Sequence, residues 1–246
     1  MLKIAQITDI HISSKNELKG DFDSQERLLN VLNDIETKDI DLIIVSGDLV
    51  NSPDDTTSYK WLKKHLYKKN KKTIIIPGNH DSSINMSDIF DLKDYLKSDE
   101  IYFSIEVENH ILAFLDSSKE FISHDQLKWL EDLNDKSNKD IVIFVHHPLD
   151  YCNCEFMDRK YPLKNISEVK ELLINCKNIK YIFTGHYHTK KQINIGHIKQ
   201  YITPSTWYQI NDNIEGFNIS KKYGWREINI DQDSLSTFVH YIKLSH

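Results

Sequence analysis

The sequence predicts an α/β protein, one domain in which two sheets of mixed strand direction pack together with helices outside them. Three observations lead there. Short apolar runs rich in β-branched residues alternate with longer stretches whose apolar residues recur every three or four positions. A hairpin pattern interrupts that alternation in the middle of the chain, and the part from Lys191 onward is strand-rich. With 246 residues, 39% of them hydrophobic and 28% charged, the chain is long enough to bury the core such a domain needs. No repeat, low-complexity run or linker divides it, so residues 1–246 are expected to form a single domain.

Taken in order, Leu2 to Thr8 reads as a first strand ending in Asp9-Ile10-His11. Asp23 and Glu26 then give a helix-start signal, and Leu28, Val31, Leu32 and Ile35 mark one helical face. Leu42-Ile43-Ile44-Val45 is a buried strand closed by Ser46-Gly47-Asp48, and Tyr59, Leu62 and Leu66 form the next helical stripe. It leads into Ile74-Ile75-Ile76, which Pro77-Gly78 breaks before three polar side chains, Asn79-His80-Asp81. Ile89, Leu92 and Leu96 predict a third helix. Strand, helix, strand, helix, strand implies right-handed parallel crossovers, which gather ligands outside the carboxyl ends of the strands.

Ile101 to Val107 and Ile111 to Leu115 flank Glu108-Asn109-His110 as an antiparallel hairpin. Ser123 and Gln126 make a capping box for a helix through Leu127 and Leu130. Ile141 to Val145 is an apolar strand ending in His146-His147-Pro148. Val169, Leu172, Leu173 and Cys176 share a helical stripe, and Tyr181-Ile182-Phe183 leads to Thr184-Gly185-His186-Tyr187-His188. From Lys191 the strands of residues 191–242 are expected to complete the second sheet, with Trp225 to Ile230 and Leu235 to Ile242 meeting across Asp231-Gln232-Asp233-Ser234.

A formal net charge of −6 gives no overall basic field for gathering nucleic acid, so none is expected as a partner. The run Lys68-Lys69-Asn70-Lys71-Lys72 reads as a solvated helix end. No apolar stretch reaches the ~18 residues of a membrane helix, and the amino end lacks a leader pattern, so a cytoplasmic protein without a membrane is expected. Three cysteines, Cys152, Cys154 and Cys176, are too few for a disulfide framework; Cys176 suits core packing, and a lone Cys-x-Cys is a weak metal signal.

The chemistry lies at the strand ends. Asp9, His11, Asp48, Asn79, His146, His186 and His188 all fall just past predicted strands and mix oxygen with nitrogen donors. That is more than one ion needs, and it fits a pair of divalent or trivalent ions about 3.5–4 Å apart, bridged by a carboxylate. Asp48, a lone carboxylate after Gly47, is the natural bridge. Without thiolate in the set a structural zinc site is disfavoured, and imidazole with carboxylate suits Fe, Mn, Zn or Co. His65, His110, His124, His197, His240 and His246 lack partner motifs and are read as incidental.

The series Asp9-x-His11, Gly47-Asp48, Gly78-Asn79-His80-Asp81, His146-His147-Pro148 and Gly185-His186-x-His188 resembles the calcineurin-like metallophosphoesterase superfamily. The resemblance implies a four-layered αββα sandwich and a dinuclear centre, with Fe, Mn or both as the favoured ions. It places Asp9, His11, Asp48 and His188 on one metal and Asp48, Asn79, His146 and His186 on the other. His80 would stand near the leaving group, oriented by Asp81, while Asn79, His80 and His188 would contact substrate. Segments around Cys154-Glu155-Phe156-Met157-Asp158, Leu163-Lys164-Asn165, Pro204-Ser205-Thr206 with Gln209, and Gly224-Trp225-Arg226 are similar to bacterial class III cyclic AMP phosphodiesterases. That likeness implies a small phosphodiester substrate, a 3′,5′-cyclic nucleotide. Those around Phe156, Ser205 and Gln209 are candidates for the pocket wall. Another phosphodiester, a phosphomonoester, a nuclease substrate or a non-catalytic scaffold stay open as alternatives, as does the oligomeric state.

Overall fold

The computed structural model describes residues 1–14, 22–67, 71–211, 218–232 and 234–243. Lys68, Lys69 and Asn70 of the lysine run, Asp233 of the last turn, and His246 lie outside the described residues. In chain order come β1 (Leu2–Ile7), α1 (Ser24–Glu36), β2 (Leu42–Ser46), α2 (Thr56–Tyr67), β3 (Lys72–Ile76) and α3 (Ser83–Ile89). Two short strands, β4 (Leu96–Lys97) and β5 (Glu100–Ile101), pair with each other ahead of the hairpin β6 (Phe103–Val107) and β7 (His110–Phe114). Next are α4 (His124–Lys136), β8 (Asp140–Phe144), α5 (Glu155–Lys160), α6 (Ile166–Asn175) and β9 (Ile179–Thr184). The chain closes with β10 (Lys191–Ile195), β11 (Ile198–Ile202), β12 (Gln209–Ile210), β13 (Ile219–Ser220), β14 (Gly224–Ile230) and β15 (Leu235–Tyr241).

One sheet has the order β15-β14-β1-β2-β3 and the other β10-β11-β9-β8-β7-β6. Both are mixed: β1, β2 and β3 run parallel, as do β7, β8, β9 and β11, while β14, β15, β10 and β6 add antiparallel edges. The expectation that residues 191–242 complete the second sheet describes β10 and β11 alone. The strands β14 and β15 extend the first sheet from the free side of β1. An alternating pattern reveals which face of a strand is buried, but not the neighbour it pairs with.

Strand alternation sorts the side chains into layers. On β7 and β8, Leu112, Phe114, Val142 and Phe144 join the core shared with the first sheet, α1 and α2. Their neighbours Ile111, Ala113, Ile141 and Ile143 face the other way and pack with Leu127 and Leu130 of α4 and Val169 and Leu173 of α6. Helices therefore cover the outside of two stacked sheets. Between the sheets, Phe103, Phe114, Phe144, Phe183 and Tyr201 stack across five adjacent strands, with ring centroids 4.8, 5.5, 5.4 and 5.2 Å apart.

The helix starts obey local chemistry. Asp23 caps α1, its carboxylate accepting from the amides of Gln25 and Glu26. Ser123 caps α4, although Gln126 uses its own side chain elsewhere, on Glu100 and the carbonyl of Asp116. The helix expected around Ile89, Leu92 and Leu96 lies earlier, because Ser82 caps α3 and Asp91 leaves the helix in the left-handed region at φ 60°. Leu92 still reaches the core, from the turn that follows. No helix among the described residues is long and apolar enough to cross a membrane.

Candidate metal centre

The segments after β1, β2, β3, β8 and β9 converge, and the two sheets supply the donors jointly. The backbone holds the first of these loops together: Asp9 N donates to Gly47 O at 3.0 Å, and the amides of Ile10 and His11 donate to Asp48 O at 2.8 and 3.0 Å. Asp9, His11, Asp48, His186 and His188 all adopt left-handed φ, between 48° and 65°. Such backbone is uncommon outside glycine and collects at functional sites. Glycine supplies the clearance. A Cβ on Gly78 would lie 2.3 Å from Asp48 Oδ1, and one on Gly185 would lie 2.0 Å from Thr8 Oγ1.

The donors, all buried except the half-buried His80, fall into overlapping groups. In each of the sets Asp9-His11-His188, His11-Asp48-His80 and Asp48-His146-His186 the ligand atoms lie within 4.8 Å of one another. Three imidazoles are oriented by carbonyls: His146 Nδ1 donates to Ser46 O at 2.9 Å, His186 Nε2 to Tyr161 O at 2.9 Å, and His188 Nδ1 to Tyr208 O at 3.0 Å. A bond fixed at one ring nitrogen turns the other inward, toward the neighbouring donors. His11 Nε2 lies 3.2 Å from His188 Nε2 and 3.5 Å from Asp48 Oδ2.

The electrostatics are those of a cation site. Burial would raise the carboxyl of Asp48, but His146 and the other imidazoles outweigh it and hold it well below the usual range. Asp9 is likewise lowered, burial being overcome by His188 and His146. Burial pushes His11 down to about 3 and His186 to about 4, so both are neutral donors. His146 goes the other way: burial opposes its charge, yet Asp48 and Asp9 bring it up to about 9. The oxygen of Asn79 and Nε2 of His146 are buried without a hydrogen-bond partner among the described residues. Leaving such atoms unpaired is costly, and a cation would satisfy both. The donor set therefore fits a pair of ions.

His80 and Asp81 are arranged differently from each other. The amide of His80 donates to Asp48 Oδ1 at 2.9 Å and its Nδ1 to the carbonyl of Asn51 at 3.2 Å. The expectation that Asp81 orients His80 needs correction. Asp81 is buried and accepts from Gly78 N at 2.9 Å, Leu49 N at 3.1 Å, Val50 N at 3.3 Å and the Tyr59 hydroxyl at 3.0 Å. A carboxylate two bonds from its own backbone satisfies the nearest amides, so it ties the loop after β2 to the loop after β3, and His80 takes its direction from Asn51.

A cavity of about 400 Å³ opens on the centre, lined by His11, Asp48, Asn79, His80, His186 and His188 on the polar side. Met157, Tyr161, Trp207, Tyr208 and Ile210 form its other wall. The segments offered from the sequence, around Phe156, Ser205 and Gln209, contain Met157 and adjoin Trp207, Tyr208 and Ile210, but the residues named in them are not the lining ones, and Tyr161 was missed. Ser205 is instead buried, donating to Asp9 O at 2.9 Å, and Gln209 donates to Ser205 O at 2.9 Å. Phe156 packs on the cluster of Cys152, Cys154 and Tyr187. Trp207 and Tyr208 follow directly on the Pro-Ser-Thr segment, and their aromatic pair was the available signal.

The architecture and the paired donor groups define a candidate dinuclear hydrolase centre. A family model described as calcineurin-like phosphoesterase matches residues 2–190, and the chain belongs to that family of metal-dependent hydrolases. It is 37% identical over 242 residues, 98% of this chain and 94% of the relative, to a probable cyclic nucleotide phosphodiesterase of Fibrobacter succinogenes. A 3′,5′-cyclic adenosine monophosphate phosphodiesterase of Haemophilus influenzae is 28% identical, over 99% of this chain and 91% of that one. Among solved structures, a dimetal phosphatase from Danio rerio shares the fold with TM-score 0.77 at 11% identity, covering 97% of this chain and 95% of its own.

Proposed function

We propose that the protein hydrolyses a 3′,5′-cyclic nucleotide, cyclic AMP foremost, to the 5′-monophosphate at this centre. The observation that carries the reading is that Asp48 belongs to two donor groups, His11-Asp48-His80 and Asp48-His146-His186, and that His11 links the first of them to Asp9 and His188. Asp9, His11, Asp48 and His188 would hold one ion, and Asp48, Asn79, His146 and His186 the other. Two cations bound there would make a water acidic enough to attack near neutral pH and would offset the charge of the phosphoryl oxygens. Fe or Mn suits the mixed donors.

The chain's own groups account for the rest. In the hydrolysis a water oxygen adds to phosphorus in line with the 3′ oxygen, the bond from phosphorus to that oxygen breaks, and the freed oxygen takes a proton. The imidazolium form of His80 can supply it: Nδ1–H stays bonded to Asn51 O, and Nε2–H gives its proton into the cavity, leaving the neutral ring. Asn79, lining the same cavity, has its amide nitrogen left to hold the phosphoryl group, whereas His188 spends both ring nitrogens on Tyr208 O and the ion; Tyr161, Trp207 and Tyr208 offer flat apolar surface for a nucleobase. The names of the relatives support the cyclic nucleotide as substrate.

The test is turnover by Mn-reconstituted protein of 3′,5′-cyclic AMP beside bis(p-nitrophenyl) phosphate and p-nitrophenyl phosphate. The cyclic nucleotide should be the best substrate. Turnover of the generic diester alone would move the substrate elsewhere, and no turnover with both ions bound would end the catalytic reading. Replacing His80 by Ala should leave metal content intact and lower kcat by ~10²–10⁴ for cyclic AMP. A metal-empty variant would make His80 a ligand.

A further inference from the structure

Behind the centre lies a buried polar layer between the two sheets, to which the metal reading assigns no role. Arg226 on β14 is 3% exposed and has no carboxylate within ion-pair distance among the described residues. An unpaired buried guanidinium is costly, so its position calls for a reason. Its Nε donates to Thr203 Oγ1 at 2.9 Å and its Nη2 to Ile202 O at 2.8 Å, both in the opposite sheet's chain segment. Nη1 donates to Thr237 Oγ1 at 3.1 Å, and the guanidinium lies 5.3 Å from the ring of Tyr201, the last member of the aromatic stack.

From Arg226 a line of hydrogen bonds reaches the donors. The hydroxyl of Thr203 donates to Gln6 Oε1, and Gln6 Nε2 donates to Ser46 Oγ at 2.8 Å. Gln6 and Arg226 are register partners on β1 and β14, and Gln6, Ser46, Thr184 and Thr203 are all fully buried. Thr203 N donates to Thr184 O at 2.8 Å, while Ser46 O accepts from His146 Nδ1 at 2.9 Å. Ser46 and Thr184 each stand two residues ahead of a donor, Asp48 and His186. The first sheet thus orients an imidazole belonging to the second, through the same strand ends that carry its own carboxylates.

We propose that Arg226, Thr203 and Gln6 form a brace that sets the spacing and register of the two half-sites, and that Arg226 is a positioning residue for simultaneous binding of two ions. The proposal rests on the dinuclear reading but not on the substrate. Without the brace each sheet keeps its own donors, and what is lost is their placement against those of the other sheet. The arrangement accounts for Arg226 in the Gly-Trp-Arg segment, which touches neither the cavity nor a donor.

Metal-stripped protein titrated with Mn²⁺ in a calorimeter, with electron paramagnetic resonance of the loaded sample, tests this. Wild type should bind two ions and show a spin-coupled pair. Arg226→Met, which keeps the length of the side chain, should bind its second ion at least tenfold more weakly and lose the coupled signal. Thr203→Val, which removes only the hydroxyl linking Arg226 to Gln6, should shift the isotherm the same way and stands in if Arg226→Met does not fold. Leu173→Ala, in the outer core around α6, controls for instability and should leave the isotherm unchanged. A wild-type isotherm and coupled spectrum in a folded Arg226→Met or Thr203→Val protein would overturn the proposal. Two ions in wild type with no hydrolysis of any diester would count against the proposed function alone.

Discussion

At the scale of single residues the centre is a place where backbone strain and crowding are tolerated for the sake of donor direction. Left-handed φ at Asp9, His11, Asp48, His186 and His188 costs on the order of 1–3 kcal/mol each and persists only where the surroundings enforce it. Here the carbonyls of Gly47 and Asp48 and the paired loops do so. Clearance is equally tight. Gly78→Ala would bring a methyl group within 2.3 Å of Asp48 Oδ1 and 2.4 Å of its amide nitrogen, so the shared carboxylate must move. Metal analysis should find at least one ion lost and kcat/KM should drop by more than about 100-fold; two full equivalents retained would mean that Asp48 has more room than its neighbours suggest. The imidazoles differ in their proton balance. His146, raised to about 9 by Asp48 and Asp9 against its burial, carries a second proton at pH 7, whereas His11 at about 3 and His186 at about 4 do not. Coordination of His146 must expel that proton, so metal affinity should climb about tenfold per pH unit between pH 7 and 9. Calorimetric titration in buffers of different ionisation enthalpy should show about one proton released at pH 7. Heats independent of buffer would contradict the charge assigned to His146.

Elements matter here chiefly as the means by which distant segments arrive at one edge. Asp23 starts α1, and α1 carries Arg27, which donates to the carbonyl of Trp207 and so steadies the segment that closes the cavity wall. Asp23→Ala removes an acceptor for two amides and should cost about 1 kcal/mol. That is a fall of about 2–4 °C in Tm for a chain of this size. A melt unchanged by the substitution would show that the backbone alone caps α1. The start of α1 was legible because a cap is local, a side chain and the amides two or three residues on. The end of α3 was not, since Leu92 and Leu96 keep helical spacing while Asp91 has already left the helix. Much of the support around the donors was illegible for a different reason: Ser46, Tyr161 and Tyr208 orient histidines through carbonyls, which any residue possesses. Asp158 and Asn165, in segments that drew notice as part of a family likeness, act on backbone too. Asp158 accepts from the amides of Cys152 and Cys154, and Asn165 bonds both polar groups of Ile122.

For the molecule as a whole, the candidate donors stood out because each follows an apolar strand, and the topology that brings them together was readable only in part. Parallel order in the β1-β2-β3 half follows from its crossovers, but nothing local tells β14 to join β1. The consequence is thermodynamic. Asp9, Asp48 and Asn79 come from one sheet and His146, His186 and His188 from the other, so the complete donor set exists only when both sheets are stacked. An unfolded chain presents the same residues spread over positions 9 to 188. Ions that bind the folded chain alone stabilise it by mass action, about 2.7 kcal/mol for each site at a free concentration one hundred times Kd. Two sites then give roughly 5 kcal/mol, which at about 2–4 °C per kcal/mol predicts a Tm about 10–20 °C higher in excess Mn²⁺ than in chelator. Asp48→Ala removes the shared carboxylate and should abolish most of that difference, whereas His80→Ala should preserve it. A chelator-insensitive Tm in wild-type protein proven to hold two ions would mean that the unfolded chain binds metal as tightly as the stacked sheets, and the two-sheet origin of the centre would then have no energetic meaning.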